Sequence, residues 1–227
     1  MASMQSIESP VVIEELDLLH NVLKSKEAQR GLITLYSQSQ SECTRDGKCG
    51  MEIGMAREKD QGAILQYFLG DFVHLDIDND LPEDYRIGDE KISAKHSSAK
   101  VGTPVKAKWT SADESAKDAV QAMIAAEDSY YPNLLLTYLE TANNKVTLVC
   151  ITAEHNRNVI KEMREEAFKI PKGNSRGIEY STKAMKALLA KKYFMVEITD
   201  ANVKGGMNPI ERRMNMLRTM GINPALE

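Results

Sequence analysis

The stretch 81–98, LPEDYRIGDEKISAKHSS, carries a carboxylate at Asp84, a hydroxyl at Ser93 and an ammonium group at Lys95. The Gly-Asp pair at 88 and 89 predicts a tight hairpin turn. That turn places Asp84 opposite Ser93, and strand alternation puts Lys95 on the same face. A carboxylate can hold Mg²⁺, which polarises a phosphate and acidifies a bound water, and a lysine can orient that water. The pattern therefore favours metal-dependent phosphodiester cleavage over a merely charged surface hairpin.

A second metal-binding carboxylate has several candidates. Mg²⁺ keeps several of its waters, so one or two protein carboxylates and a backbone carbonyl are enough to hold it. Glu58 lies near the start of a predicted helix at 56–70, and Asp78 and Asp76 lie on the strand before the hairpin. Position in the sequence leaves the choice among these three open.

Hydrophobic periodicity predicts the elements that must hold this site. Apolar residues at helical spacing predict helices at 11–30, 56–70, 110–129, 156–168 and 181–193, the third capped by Thr110 or Ser111. Strands are predicted at 72–78, in the two arms of the hairpin, and at 133–140, 145–152 and 194–198, with loops at 37–50 and 169–177. This order predicts a single α/β domain over 1–227, with a mixed central sheet flanked by helices.

Composition is typical of an ordinary globular protein, with 42% hydrophobic and 27% charged residues. No apolar run reaches membrane-spanning length, and the N-terminal stretch lacks the pattern of a signal peptide. Three cysteines and no signal sequence favour a reducing compartment, so we expect a cytoplasmic protein. Cys43 and Cys49 lack nearby zinc-ligand partners and are expected to be free thiols in a loop.

The net charge of −4 conceals two basic regions. Positions 91–108 hold five lysines and no acid, and positions 167–193 hold seven basic residues and one acid. Such regions fit either a patchy solvated surface or contacts with nucleic acid phosphates. The candidate DNA-binding residues are Lys100, Lys106, Lys108, Lys172, Asn174, Ser175 and Arg176. Of these, Asn174, Ser175 and Arg176 could read base edges.

Two aromatic residues near the hairpin are expected to be structural. His96 falls on the apolar face beside Ala94 and is expected at the core or its edge. Trp109, the single tryptophan, is expected to be a core anchor more than a base-stacking group.

The segment Pro82-Glu83-Asp84, followed after eight residues by Ser93-Ala94-Lys95, resembles the motif of the PD-(D/E)XK nuclease superfamily. The order helix, three-stranded meander, helix, strand is similar to the core of that superfamily over roughly 56–153. The segments KISAKHSSAKVGTPVKAKWT and GNSRGIEYS look like parts of type II restriction endonucleases. The chain departs from the motif in two ways, because the proline stands one residue early and a serine occupies the acidic position.

The resemblance implies roles for the hairpin residues. Asp84 would bind the metal, Ala94 would contribute its carbonyl oxygen, and Lys95 would act on the nucleophilic water. Ser93 stands where a second acid is expected, so that acid would come from Glu58 or Glu114.

A competing register pairs Asp89 and Lys91, with Asp78 as the first acid. That register would place the metal in the solvent-exposed turn, so the register of Asp84 and Lys95 is favoured.

The implied activity is that of a Mg²⁺-dependent, sequence-specific double-stranded DNA endonuclease from a restriction-modification system, acting as a homodimer. In that case 154–227 would supply DNA-recognition and dimer elements. The alternatives are a repair or recombination nuclease of the same superfamily and a non-catalytic nucleic-acid-binding protein.

Overall fold

A computed structural model describes residues 13–47, 50–75, 81–110, 113–171, 177–201 and 203. Its main sheet has six strands in the order β1-β2-β3-β5-β6-β9, and β4, β8 and β7 form a small second sheet. In the main sheet β3 and β5 run parallel, and every other neighbouring pair is antiparallel. The strands are β1 (Val73–His74), β2 (Tyr85–Ile87), β3 (Glu90–Ser97), β4 (Lys106–Lys108), β5 (Asn133–Glu140), β6 (Lys145–Ile151), β7 (Phe168–Lys169), β8 (Ile178–Tyr180) and β9 (Phe194–Ile198).

Helices cover both faces of the main sheet and enclose two hydrophobic cores. Leu135 of β5 belongs to the core under the first three helices, while Leu134 and Leu136 face the core under the last three, as strand alternation requires. The helices are α1 (Glu14–Lys24), α2 (Lys26–Arg45), α3 (Gly50–Leu69), α4 (Ala116–Ala125), α5 (Ala153–Met163) and α6 (Thr182–Ala190). Short 3₁₀ turns cover Gly70–Phe72, Asp128–Tyr130, Thr141–Asn143 and Arg164–Ala167. The predicted mixed sheet flanked by helices is confirmed.

The β2–β3 hairpin has the register that the Gly-Asp turn predicts. Tyr85 pairs with Ile92 and Ile87 with Glu90. Gly88 adopts a φ of +55°, and a Cβ there would lie 2.7 Å from the ring of Phe72. Glycine is therefore required twice at this position, for its backbone conformation and for the close approach of the ring.

The N-terminal helices differ from prediction. The single helix expected at 11–30 is divided at Ser25, whose ψ of 138° is extended. The prediction of a loop at 37–50 is wrong for residues 37–45, because α2 continues to Arg45. Its buried residues lie at helical spacing on the side that packs against the sheet and α3: Ala28, Leu32, Tyr36, Ser39 and Cys43. Cys43 is thus a buried helical residue and not a loop thiol, whereas Cys49 lies outside the described residues.

Other boundaries also move. Ser115, and neither Thr110 nor Ser111, caps α4 by accepting a hydrogen bond from the Asp118 amide. In the described part of the strand expected at 72–78, only Val73–His74 form β1, and 76–80 lies outside the described residues. The helix expected at 156–168 begins at Ala153 and ends at Met163.

The small sheet was not predicted, because strands of two or three residues carry too little alternation to be recognised. No helix in the described part of the chain combines the length and apolarity needed to cross a bilayer.

Candidate active site

Asp84, Ser93 and Lys95 converge as the hairpin register requires. One carboxylate oxygen of Asp84, Oδ2, accepts hydrogen bonds from Ser93 Oγ at 3.2 Å, the Ala94 amide at 2.7 Å and Lys95 Nζ at 3.2 Å. Its other oxygen, Oδ1, accepts none from the described residues. Ser93 is buried, while Asp84 and Lys95 are partly exposed. The carboxylate is therefore fixed through one oxygen and can offer the other to a ligand.

These three side chains line a cavity of about 220 Å³ between the two sheets. Its far side is formed by β4 and the residue after it, with Lys106, Lys108 and Trp109. The floor is closed by Asn156 and Tyr180, whose side chains are buried and hydrogen-bonded to each other at 2.8 Å. The cavity thus has a reactive wall on β2–β3 and a cationic, aromatic wall on β4.

Glu58 joins the site from α3, which packs on β3. Burial, and after it the carboxylate of Asp84, raise the pKa of Glu58 to about 7, and the ammonium group of Lys95 opposes both effects. Two partly buried carboxylates that repel each other form a donor set suited to a divalent cation, which would relieve the repulsion. Asp84 and Glu58 therefore fit a Mg²⁺ ion that keeps most of its waters.

A buried hydrogen-bond network fixes α3 relative to the hairpin. Gln61, one helical turn after Glu58 and fully buried, donates to Thr137 Oγ1 of β5 and to the Tyr36 hydroxyl of α2. The Tyr85 hydroxyl, from the residue next to Asp84, donates to Gln61 Oε1 at 3.1 Å. This network ties α3, which carries Glu58, to β2, whose first residue follows Asp84 directly. It was missed at the sequence level because its hydrogen-bonded partners are up to 76 positions apart.

The other predicted acids lie elsewhere. Glu114 pairs with Lys108 Nζ at 2.5 Å on the far side of the cavity. Asp89 is exposed in the turn, and Lys91 Nζ donates to the Ser129 carbonyl, so the two described residues of the competing register do not form a pair. Asp76 and Asp78 lie outside the described residues. No group of three or more potential metal-ligating His, Cys, Asp or Glu side chains occurs in the described ranges.

The predicted DNA-binding residues are only partly described. Lys100 is exposed, Lys106 pairs with Glu179 at 3.8 Å, and Lys108 pairs with Glu114. The segment with Lys172, Asn174, Ser175 and Arg176 lies outside the described residues.

The two aromatic expectations have opposite outcomes. His96 packs edge-on against Tyr36 with ring centroids 5.7 Å apart, and both ring nitrogens are buried without a hydrogen-bond partner among the described residues. Burial lowers its pKa to about 3, so it is a neutral histidine at the edge of the core. The core position expected for Trp109 is wrong, because 45% of that residue is exposed.

Comparisons with known proteins agree with this geometry. Residues 18–216 match the family described as restriction endonuclease ThaI. A solved structure, described as a restriction endonuclease in complex with substrate DNA, aligns with this chain at a TM-score of 0.68 and 24% sequence identity. The alignment covers 88% of this chain and 99% of the chain in that structure. That identity supports the shared fold. No curated protein sequence matches the chain.

Proposed function

Because the chain belongs to the restriction endonuclease ThaI family and is a type II site-specific deoxyribonuclease, we propose that it cuts double-stranded DNA with Mg²⁺ held by Asp84 and Glu58. The convergence of Lys95, Ser93 and the Ala94 amide on one oxygen of Asp84 carries this proposal. The PD-(D/E)XK resemblance and the pKa of Glu58 support it, since both point to a divalent cation at these carboxylates.

Each residue has a distinct task in this mechanism. The bound metal would polarise the scissile phosphate and acidify a water. Asp84 would hold the ion through its unpaired oxygen, the Ala94 carbonyl would add a ligand, and Ser93 would keep the Asp84 carboxylate oriented. Lys95 Nζ would move away from Asp84 and would then orient the attacking water and stabilise charge on the phosphate.

Glu58 supplies the acid that the hairpin lacks. Ser93 replaces the usual second carboxylate of the motif, and α3 places a glutamate beside the same Asp84. We assign Glu58 the second carboxylate position in preference to Glu114, because Glu114 is paired with Lys108 across the cavity.

Incubation of the protein with phage DNA, with Mg²⁺ or with EDTA, tests the metal dependence. Discrete fragments in the Mg²⁺ lane alone are expected. A smear would indicate a non-specific nuclease, and equal cutting in EDTA would refute the metal mechanism. Asp84→Ala should abolish cutting and leave DNA binding in a gel-shift assay intact, while Tyr67→Ala, an exposed position near the end of α3, should cut normally.

We also propose a homodimer, because a two-fold symmetric protein matches a two-fold symmetric DNA site. In this arrangement the catalytic core is about 56–153, and 154–227 supplies DNA-recognition and dimer elements, among them Lys172, Asn174, Ser175 and Arg176. Lys100, Lys106 and Lys108 would contact phosphates. Sedimentation of the free protein and of its DNA complex measures the stoichiometry, and one protein chain per duplex would exclude the dimer.

A further inference from the structure

Trp109 is a large apolar side chain placed at the wall of the reactive cavity. It follows β4 directly, 45% of it is exposed, and it lines the same cavity as Asp84, Ser93 and Lys95. A tryptophan that served only the fold would be expected to bury most of its surface. Its exposed surface beside the candidate active site is therefore available to contact a ligand.

The backbone under Trp109 is held in place by a close approach of a neighbouring loop. Gly177 has a φ of +96°, and a Cβ there would lie 2.3 Å from the Lys108 carbonyl oxygen and 3.0 Å from Trp109 Cα. Only glycine allows the chain entering β8 to pass so close. The position of Trp109 is thus fixed by the small sheet before any ligand binds.

Two lysines of β4 lie on the same cavity wall as the indole. Lys106 Nζ lies 4.6 Å from the centroid of the ring, a cation–π arrangement, and Lys108 lines the cavity from the same strand. Each lysine is oriented by an acid, Lys106 by Glu179 and Lys108 by Glu114. The wall therefore offers an apolar ring beside two ion-paired ammonium groups, in the same cavity as the Asp84 carboxylate.

This combination matches the chemistry of a nucleic acid strand. Phosphates carry the charge that lysines bind, while the deoxyribose and base present apolar faces that an aromatic ring contacts. A protein contact would favour a less cationic surface, since interface cores are depleted in lysine. Trp109 lies in a concave cavity together with Lys95. An extended chain such as a DNA backbone can enter such a cavity, whereas a broad protein surface cannot.

We propose that Trp109 packs against the deoxyribose of the cleaved DNA strand next to the reacting phosphate, while Lys106 and Lys108 contact the adjoining phosphate. This proposal rests on the proposed endonuclease function. Trp109 is a binding residue in it, one that positions the strand between the two walls, and it takes no part in the proton transfers.

The single tryptophan of the chain makes the contact directly measurable. Wild-type protein first digests phage DNA with Mg²⁺, and the fragment ends give the recognised site. A duplex carrying that site is then titrated into the protein with Ca²⁺ in place of Mg²⁺, and a gel verifies that the duplex stays intact. Indole fluorescence should change in proportion to bound duplex, and quenching by acrylamide should fall.

Variants separate a contact with the strand from a structural role. Trp109→Ala should raise Kd and KM about ten-fold, the size expected from losing one aromatic contact with a nucleotide, and leave kcat unchanged. Trp109→Phe should lie between it and wild type. The matched control is Tyr67→Ala, since Tyr67 is 83% exposed on α3 and does not line the cavity, and it should bind as wild type does. In the double variant Trp109→Phe/Tyr67→Trp the relocated indole should not respond to the duplex.

The outcomes are distinguishable. If wild type yields discrete fragments but the fluorescence of Trp109 ignores the duplex, the proposal fails and the endonuclease function stands. If the indole fluorescence instead changes with protein concentration in the absence of DNA, Trp109 lies in a contact between copies of the chain. That result would overturn the proposal. Uncut phage DNA in Mg²⁺ would refute the proposed function, and this inference with it. The wild-type titration decides the matter even if Trp109→Ala does not fold.

Discussion

Replacing Glu58 by glutamine should stabilise the metal-free protein and prevent it from cutting DNA. Burial and the Asp84 carboxylate raise the pKa of Glu58 from 4.5 to about 7. At pH 8 the Glu58 carboxyl group is ionised in both states, but ionising it costs more free energy in the folded protein than in the unfolded chain. A difference of roughly 2.5 pKa units corresponds to about 3 kcal/mol of unfolding free energy, which the uncharged glutamine recovers.

The gain depends on pH in a defined direction. Since folding raises the pKa of this acid, the destabilisation is absent below about pH 4.5, where both states are protonated, and grows until about pH 7. The advantage of Glu58→Gln should thus fall from about 3 kcal/mol at pH 8 to less than about 1 kcal/mol at pH 5.

Urea unfolding in EDTA at the two pH values measures both quantities. Glu162→Gln, an exposed position on α5, is the matched control and should change the unfolding free energy by less than about 0.5 kcal/mol. Mg²⁺ should then stabilise wild type and not Glu58→Gln, because only an ion bound to the folded state shifts the equilibrium.

Two results would refute this reasoning. A Glu58→Gln protein no more stable than wild type at pH 8, or equally stabilised at both pH values, would show that no buried, repelled carboxylate exists at this position. Cleavage of phage DNA by Glu58→Gln at the wild-type rate would remove Glu58 from the metal site.

Three further variants test the site. Glu58→Gln/Ser93→Asp moves the second carboxylate from α3 to β3 and should cut DNA at least about ten-fold faster than Glu58→Gln, a rise expected if each carboxylate contributes a few kcal/mol through the metal. Equal rates for the two proteins would contradict the exchange. Lys95→Met keeps the aliphatic bulk and should slow cleavage by roughly 10²- to 10⁴-fold with duplex binding in Ca²⁺ unchanged, so a loss of binding alone would assign Lys95 to the phosphates. Gln61→Leu removes the amide that bonds the hydroxyl groups of Tyr36 and Tyr85 and should lower the unfolding free energy by about 2 kcal/mol. It should also raise the Mg²⁺ concentration needed for half-maximal cleavage, and a normal Mg²⁺ requirement would show that the network only stabilises the fold.

The hairpin was predictable because its determinants are local. The Gly-Asp pair at 88 and 89 sets the turn, and a two-residue turn fixes every pairing along both arms. Asp84, Ser93 and Lys95 followed from that register by counting residues, and the structure brings these three side chains together.

The polar helix α2 was not predictable in the same way. Its run SQSQSE is typical of a loop, yet polar groups of this run form hydrogen bonds within α2 or with α3. Ser37 Oγ donates to the Ile33 carbonyl of the same helix, and Ser39 Oγ donates to Asp60 of α3. Gln40 likewise accepts a hydrogen bond from the buried Arg57. Where two helices pack through polar contacts, hydrophobic periodicity no longer indicates the buried face.

The choice of Glu58 among the candidate acids depended on distant contacts. Its approach to Asp84 is set by the buried hydrogen bonds of Gln61, which no local pattern reveals. Once α3 supplies that acid, the serine at position 93 has a physical reason. An acid there would place a third carboxylate beside two that already repel, whereas the Ser93 hydroxyl donates a hydrogen bond to Asp84. The departure from the superfamily motif and the glutamate on the helix are therefore parts of one proposed arrangement, in which two carboxylates, Asp84 and Glu58, would share one divalent ion.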